Sequence, residues 1–208
     1  MGVSREMEWF KVGIFGYLLG AIPFGYLAGK MSKIDIREHG SGNIGFTNVM
    51  RVLGIKPAAV VLFLDAAKGY ISAWYGYAIG GESLAVLGAL AAMSGHTWPF
   101  ALRFKGGRGV ATGFGIILFF SYKITLIALL IWLSIVYLTR YVSLGSITSA
   151  AFVLAAMILT SKSLPYLIFS IVGATLVIVR HYENIKRLLK GQENKISFKV
   201  SATKGGEG

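Results

Sequence analysis

The sequence predicts an all-α polytopic membrane protein with seven transmembrane helices. Three observations carry this prediction. The 208 residues are 55% hydrophobic but only 14% charged, whereas a soluble domain averages about 45–50% apolar and ~25% charged residues. The mean hydropathy is +0.65. The apolar residues also form long uninterrupted runs. An ordinary soluble domain and a disordered chain are therefore excluded.

Each apolar run is a candidate span, because a bilayer-crossing helix needs ~20 mostly apolar residues. The fourth run is short and contains Gly113 and Gly115, so six spans are the alternative if this segment is re-entrant. In chain order, the predicted spans are Phe10–Ala28, Pro57–Ile79, Leu84–Leu102, Val110–Phe120, Ile124–Thr139, Leu144–Thr160 and Leu164–Val179.

The net charge of +12 could indicate nucleic-acid binding, but the positions of the cations favour membrane topology instead. Of the 21 lysines and arginines, sixteen fall in links on one side of the predicted spans, and Lys68 lies inside a span. The other four are Arg5, Lys11, Lys123 and Lys162. Cytoplasmic loops carry the excess of cations, so the N-terminus is predicted outside and the C-terminus in the cytoplasm. Opposite ends agree with an odd number of spans.

The chain is predicted to be a single integral membrane domain over residues 1–208, with a core at about 9–195. No cleavable signal peptide is evident, since the first apolar run is long and no A-x-A-like site follows it. Residues Met1–Glu6 and Ala202–Gly208 are expected to be poorly structured. The absence of cysteine excludes disulfides, thiolate metal sites and cysteine nucleophiles.

Three polar, glycine-rich segments fall on the predicted cytoplasmic side, and they contain all three histidines. The first, residues 39–51, includes a G-x-G-x-x-G pattern, but no βαβ unit fits between membrane helices. Glycines still allow backbone N–H groups to approach an anion. Here Ser41, Thr47 and Asn48 add donors, and Arg51 adds a planar charge suited to phosphate. A tight turn that caps the next helix is the alternative.

The second segment, residues 95–112, contains Lys105-Gly-Gly-Arg-Gly-Val-Ala-Thr directly before a predicted helix. A helix N-terminus attracts phosphate through its free N–H groups and its dipole. A basic loop that merely obeys the positive-inside rule would explain Lys105 and Arg108, but not the glycines. His96 precedes this loop and could instead be a polar cap near the interface.

In the third segment, residues 181–195, His181 and Asn184 share a face if the segment begins as a helix. The alternative is a solvated amphipathic tail, and contact with anionic lipid headgroups is the preferred interpretation for Lys186, Arg187 and Lys190. Glu193 is expected to brace basic residues.

Asp65 and Lys68 lie at i, i+3 within the second span. Ionisable residues inside a membrane are costly and are usually paired or functional. An ion pair that holds the cytoplasmic loops is the favoured interpretation, which makes Asp65 and Lys68 structural. No metal motif, paired carboxylates or nucleophile elbow is present, and neither a metal nor a cofactor is predicted.

The three polar segments, residues 39–51, 95–112 and 181–195, resemble the motifs of the bacterial acyl-phosphate:glycerol-3-phosphate acyltransferase family (PlsY). The similarity covers about residues 20–195, and the Asp65-Ala-Ala-Lys68-Gly69 stretch also resembles the family. Two departures keep the chemistry: Phe46 stands where the family commonly has Ala, and Arg108 where it commonly has Lys.

The resemblance implies an enzyme of the bacterial inner membrane with a cytoplasm-facing active site. Such an enzyme transfers a fatty acyl group from acyl phosphate to the 1-hydroxyl of glycerol 3-phosphate, which gives lysophosphatidic acid and phosphate in the first step of phospholipid synthesis. The implied partners are these two substrates and membrane lipids, with no nucleic acid; the oligomeric state stays open. Two phosphorylated substrates would explain two basic glycine-rich loops, and an apolar acyl tail would explain a site at the membrane face.

The predicted catalytic residues are Ser41, Arg51, His96, His181 and Asn184. The predicted substrate-binding residues are Gly42, Asn43, Gly45, Thr47, Asn48, Lys105, Gly106, Gly107, Arg108, Gly109 and Thr112. We expect the Lys105–Gly109 loop to hold glycerol 3-phosphate, and the first and third segments to hold acyl phosphate. Either His96 or His181 could be the general base, or the donor's own phosphate could accept the proton. A small transporter of phosphorylated metabolites is the alternative function.

Overall fold

The computed structural model describes residues 2–161 and 163–196, and within these ranges all of the regular secondary structure is helical. The predicted sides of Lys162, Lys199 and Lys204, and the prediction for Met1 and Ala202–Gly208, lie outside the described residues. The α-helices in chain order are α1 (Gly2–Gly20), α2 (Phe24–Met31), α3 (Phe46–Leu53), α4 (Ile55–Thr97), α5 (Val110–Phe120), α6 (Tyr122–Thr139), α7 (Val142–Thr160), α8 (Leu164–Arg180) and α9 (Tyr182–Leu189).

The N-terminal run differs from its prediction in two ways. Residues 2–6 are helical and belong to α1, so the prediction of poor structure there was wrong. The predicted continuous span Phe10–Ala28 is divided between α1 and α2, with Pro23 directly before α2. Proline has no backbone N–H to donate to the preceding turn, and this missing donor accounts for the break.

Helix α4 is a hairpin of two helical arms, because Gly80 and Gly81 have non-helical backbone angles in its middle. The arms pack closely and antiparallel: a Cβ on Gly76 would overlap the Leu84 carbonyl, and a Cβ on Gly88 would overlap the Ser72 carbonyl. The two arms correspond to the predicted spans Pro57–Ile79 and Leu84–Leu102, but the second arm ends at Thr97, because Pro99 follows and Phe100–Leu102 form a separate 3-10 turn.

Small residues also allow the neighbouring helices to approach α4. A Cβ on Gly20 of α1 would overlap the backbone of Ala92, and a Cβ on Gly115 of α5 would overlap the carbonyl of Ala66. Close backbone approach at small residues is how membrane helices associate, since lipid tails are as apolar as the side chains.

Among the residues that the structure describes, four helical segments are long and apolar enough to cross a membrane: Arg5–Met31, Ile55–Leu102, Tyr122–Thr139 and Val142–Thr160. A fifth is obtained if α8 and α9, which are bent by 55° at His181, count as one broken span. Helix α5 is apolar but short. Seven crossings, and the orientation of the termini, therefore remain predictions.

The loops that carry the three polar segments meet at one end of the bundle. Arg180 Nη2 donates to the Gly106 carbonyl (3.4 Å), and Ile196 N donates to the Arg140 carbonyl (2.9 Å). The opposite end is marked by Ser163 Oγ, which donates to Glu82 Oε2 beside the α4 turn (2.7 Å). The fold thus concentrates the polar chemistry at a single end.

Candidate active site

The side chain of Asn48 holds the first polar segment in place through hydrogen bonds to its backbone and to that of the residues before it. Its Oδ1 accepts from Ser41 N (2.8 Å), and its Nδ2 donates to the Ile36 and His39 carbonyls (3.1 and 3.0 Å). Gly40 adopts φ +62°, and a Cβ there would overlap Asn48 Oδ1. Asn48 is fully buried and lines neither of the cavities described below, so its amide supports the loop instead of facing a ligand.

The glycine-rich loop, residues 104–109, folds back onto the end of α4. Gly106 N donates to the Thr97 carbonyl and Gly107 N to the His96 carbonyl (both 3.0 Å). A Cβ on Gly107 would overlap Nε2 of the His96 ring. Gly109 takes φ +80°, a left-handed conformation that suits glycine, and α5 begins at the next residue. The loop therefore ends at a helix N-terminus, as the sequence indicates.

A buried polar network lies beneath this loop. Lys68 Nζ is 2.7 Å from Asp65 Oδ1 and donates to the Ile22 carbonyl at the break between α1 and α2 (3.0 Å). His96 Nδ1 lies 3.6 Å from the same Asp65 oxygen. With Asp65 near Nδ1 and Gly107 against Nε2, both ring nitrogens of His96 face the protein, which disfavours His96 as a general base.

His181 forms the junction between α8 and α9. Its Nδ1 is 2.7 Å from the Val177 carbonyl, and because a carbonyl only accepts, Nδ1 carries the proton. Burial lowers the pKa of His181 to about 4, and the nearby Arg108 acts in the same direction. At neutral pH the ring is therefore neutral, with the lone pair on Nε2.

Glu193 joins the C-terminal segment, residues 191–196, to two helices. Its carboxylate accepts from Asn184 Nδ2 (2.6 Å), Arg187 Nε (2.7 Å) and Ser143 Oγ (2.9 Å). Burial raises the pKa of Glu193, but these hydrogen bonds outweigh it, and the pKa lies below its usual value.

Two cavities open at this end of the bundle. The main cavity, of about 950 Å³, runs from the polar loops down between the helices and is lined mostly by apolar side chains. The second, of about 600 Å³, which we call the vestibule, contains Arg37, Lys105 and Arg180. The two share four lining residues: Ser41, Asn43, Arg108 and Asn184.

Most of the predicted site residues meet at these cavities. The predicted residues that line the main cavity, the vestibule or both are Ser41, Gly42, Asn43, Gly45, Thr47, Arg51, Asp65, His96, Lys105, Gly106, Arg108, Gly109, His181, Asn184 and Glu193. The others, Asn48, Lys68, Gly107 and Thr112, do not line them. Thr112 is fully buried, and its carbonyl packs against Gly69 of α4.

Three contributors were missed by the sequence analysis. Arg187 pairs with Glu193 and lines the main cavity, so its preferred assignment to lipid headgroups was wrong. Arg180 holds the Gly106 carbonyl, and Ser143 of α7 anchors Glu193. The amphipathic pattern of α9 was the available signal for Arg187, since one face of that helix packs against the protein.

The region where the two cavities meet is rich in arginine. Burial lowers the pKa of Arg108 to about 10; Glu193 opposes this shift, while Arg187, Arg180 and Arg51 add to it. A guanidinium with this pKa is still charged at pH 7. Several arginines held close together form a site for multiply charged anions such as phosphates.

Comparison with known proteins agrees with this arrangement. The family model described as glycerol-3-phosphate acyltransferase matches residues 10–191. The chain belongs to this family. Among its relatives, a glycerol-3-phosphate acyltransferase of Desulforamulus reducens is 49% identical over 89% of this chain and 94% of its own length. Glycerol-3-phosphate acyltransferase 2 of Moorella thermoacetica is 46% identical over 90% of this chain and 97% of its own.

Two solved structures of this acyltransferase family share the fold. Both are crystal structures of PlsY, an integral membrane glycerol 3-phosphate acyltransferase. Its glycerol 3-phosphate form superposes with a TM-score of 0.88 at 40% identity, covering 91% of this chain and 96% of PlsY. Its lysophosphatidic acid form gives 0.86 at 39% identity, covering 91% and 95%. The protein is therefore an integral membrane acyltransferase of the PlsY fold, and the regular secondary structure of its described residues is all helical.

Proposed function

We propose that this protein transfers a fatty acyl group from acyl phosphate to the 1-hydroxyl of glycerol 3-phosphate. The products are lysophosphatidic acid and inorganic phosphate, in the first step of phospholipid synthesis. One observation carries the proposal: a cationic vestibule and a long apolar cavity meet at Ser41, Asn43, Arg108 and Asn184. A small anionic acceptor bound in one cavity and a lipid donor bound in the other could meet and react only where the two cavities connect.

The two substrates occupy the two cavities in this proposal. Glycerol 3-phosphate lies in the vestibule, where Lys105, Gly106 and Arg180 surround its phosphate. Acyl phosphate lies in the main cavity, with its phosphate near Arg51 and Arg108 and its acyl chain among the apolar side chains. The N-termini of α3 and α5, which follow Gly45 and Gly109, favour the anionic groups. The PlsY relative has been solved in a glycerol 3-phosphate form and a lysophosphatidic acid form, which supports these two molecules as acceptor and product.

The reaction is a direct displacement at the acyl carbon. A bond forms between this carbon and the hydroxyl oxygen of glycerol 3-phosphate, and the bond to the phosphate oxygen breaks. An efficient general base has a pKa near the working pH, and the pKa of His181 is lowered to about 4. His181 Nε2 therefore orients the hydroxyl by accepting its hydrogen bond before the attack, and as the new C–O bond forms the hydroxyl proton shifts from this hydrogen bond to an oxygen of the departing phosphate. Positioning and charge stabilisation supply most of the catalysis.

A covalent acyl-Ser41 intermediate is disfavoured. Of the histidines, His39 is closest to Ser41 in sequence, but His39 lines neither cavity, whereas Ser41 lines both. A serine nucleophile needs an adjacent base to activate it. Labelled acyl phosphate should therefore leave no acyl group on the protein.

The proposal includes seven crossings, with the N-terminus outside and the site at the cytoplasmic face of the inner membrane. Two features support this topology. The α4 hairpin returns the chain to its starting side, and the loops on the site's side carry most of the cations, as cytoplasmic loops do. The same topology keeps residues 1–208 in one membrane domain.

The test is an assay of purified protein with palmitoyl phosphate and labelled glycerol 3-phosphate. We expect labelled lysophosphatidic acid from the wild type and from L189A, which alters an exposed side chain away from the cavities. R108A should lose at least about hundredfold in kcat/KM, as is typical when one transition-state donor is removed. No product from the wild type would overturn the proposal. Uptake of glycerol 3-phosphate into vesicles would then favour the transporter, although an intramembrane binding site is typical of that class.

A further inference from the structure

The inner part of the main cavity ends at one level on three helices. The lining residues of α8 stop at Phe169, those of α7 at Val153 and those of α6 at Thr125. Residues beyond this level on the same helices, including Met157 and Tyr166, do not line it. The inner arm, as we call this part, is thus a closed slot instead of a channel through the bundle.

Packed side chains close the end of the slot. Phe169 is 2% exposed, and Phe120 meets its ring edge-on with centroids 5.2 Å apart. Tyr166 stacks on the ring of Phe120, and the centroids of these two rings are 4.1 Å apart. Ile117, Ile124 and Met157 are buried in the same apolar cluster. Interiors packed in this way do not yield space without cost, so the slot has a fixed depth.

The walls of the inner arm suit a hydrocarbon chain in spite of several hydroxyl groups. Ser146, Ser149 and Ser170 donate to the carbonyls of Val142, Ala128 and Tyr166 (2.9, 3.0 and 2.8 Å). Hydroxyls that are satisfied by the backbone need no polar ligand. The slot therefore presents small side chains and no unpaired polar group from these serines.

We propose that Phe169 is a specificity-determining residue that sets the maximum length of the acyl chain. This inference rests on the proposed function. The ring lies over Gly173, where a Cβ would be 3.3 Å from Phe169 Cζ, so it projects toward the site end of the slot. From His181 to Phe169 the helix rises about 18 Å at 1.5 Å per residue. A long-chain acyl group whose carbonyl lies at Asn184 ends against this ring.

The main cavity also includes an outer groove along the exposed face of α4, lined by Leu62, Phe63 and Ile71. Phe63 is 71% exposed, as expected for a surface in contact with lipid. A chain in this groove would meet no closed end and would show no upper length limit. The two locations therefore predict different chain-length profiles.

The experiment measures kcat/KM for a series of donors: lauroyl, palmitoyl, stearoyl and arachidoyl phosphate. For the wild type we expect kcat/KM to fall steeply from the shorter donors to the longest ones in the series. F169A should raise the arachidoyl-to-palmitoyl ratio at least about tenfold, since even one methylene in a fitted pocket changes kcat/KM by 10-fold or more. The matched control is F119A, which removes a neighbouring aromatic ring that does not line the cavity and should leave the ratio unchanged.

A second variant narrows the slot, whereas F169A lengthens it, and its result does not depend on whether F169A folds stably. A150L adds volume to the wall of the inner arm one turn above its end, so its ratio of lauroyl to palmitoyl transfer should rise about tenfold. A wild type that is active on every donor, with no decline at the long end, would overturn the proposal and favour the outer groove. An active A150L with the wild-type profile would also overturn it. A wild type without activity on any donor contradicts the proposed function itself.

Discussion

His96 and His181 differ in which of their ring nitrogens remain available to a substrate. His96 has Asp65 beside Nδ1 and Gly107 against Nε2. His181 donates through Nδ1 to the Val177 carbonyl, which leaves Nε2 as an acceptor. The first ring supports a loop and the second can contact a reacting group. Two residues of the same type thus have different roles because their neighbours differ.

The neutral ring of His181 predicts a pH dependence of stability. Its pKa is lowered from 6.5 to about 4, so between these values the unfolded chain binds a proton that the folded chain does not. Stability should fall as the pH decreases through this window, by up to about 3 kcal/mol from this group. In H181N the amide can still donate to the Val177 carbonyl but does not titrate. We expect thermal unfolding from pH 7 to pH 4 to lower the Tm of the wild type more than that of H181N; equal losses would contradict the assignment.

The contact between Gly107 and His96 predicts a non-additive pair. In G107A the new methyl overlaps the His96 ring, which should displace the glycine-rich loop and raise KM for glycerol 3-phosphate about tenfold to hundredfold. In an H96A background the ring is gone, so G107A should add little further loss. G13A is the control, because nothing lies within 4 Å of a Cβ at Gly13. Simple addition of the two losses would show that the ring does not hold the loop.

Among the elements, the C-terminal segment and α9 complete the site. Glu193 connects this segment to Asn184 and Arg187 of α9 and to Ser143 of α7, and Ile196 N donates to the Arg140 carbonyl. The bend of 55° at His181 turns α9 away from the axis of α8, so that Asn184 and Arg187 face the main cavity. The position of Asn184 therefore depends on Glu193.

E193Q tests this dependence. The substitution removes the charge from three hydrogen bonds, and hydrogen bonds to charged groups contribute about 1.5–3 kcal/mol each. We expect a lower Tm together with a fall of about tenfold or more in kcat. E38Q is the matched control, since Glu38 is exposed and lines neither cavity. If E193Q lowers the Tm but keeps full kcat, Glu193 stabilises the fold without positioning Asn184.

At the scale of the whole molecule, both ends of the bundle can be tested for sidedness. The chain has no cysteine, so single cysteines can be introduced and labelled without background. With seven crossings, a membrane-impermeant maleimide should reach K56C and K190C from the cytoplasmic side, and Y122C and S161C from the other. Labelling of Y122C from the cytoplasmic side would instead indicate that α5 is re-entrant and that six spans are correct.

The sequence by itself determined the membrane class, the order of the apolar helices and the three polar segments that form the site. These features are local, because apolar runs, glycine patterns and the spacing of Asp65 and Lys68 are visible along the chain. The limits of α5 were also predicted as observed. The break at Pro23 and the α3 helix were not predicted, and a helix at the start of the third segment entered only as the condition for His181 and Asn184 to share a face.

The tertiary structure alone decided which predicted residues line the two cavities. Asn48, Gly107 and Thr112 have the residue types of ligands, but they are occupied by contacts with their own loops and helices. Arg187 was assigned to lipid and instead lines the main cavity. The inner arm of the main cavity is closed at Phe169 only because side chains from α5, α6, α7 and α8 pack together there. A side chain's role depends on neighbours that are distant in sequence, and only packing brings those neighbours into contact.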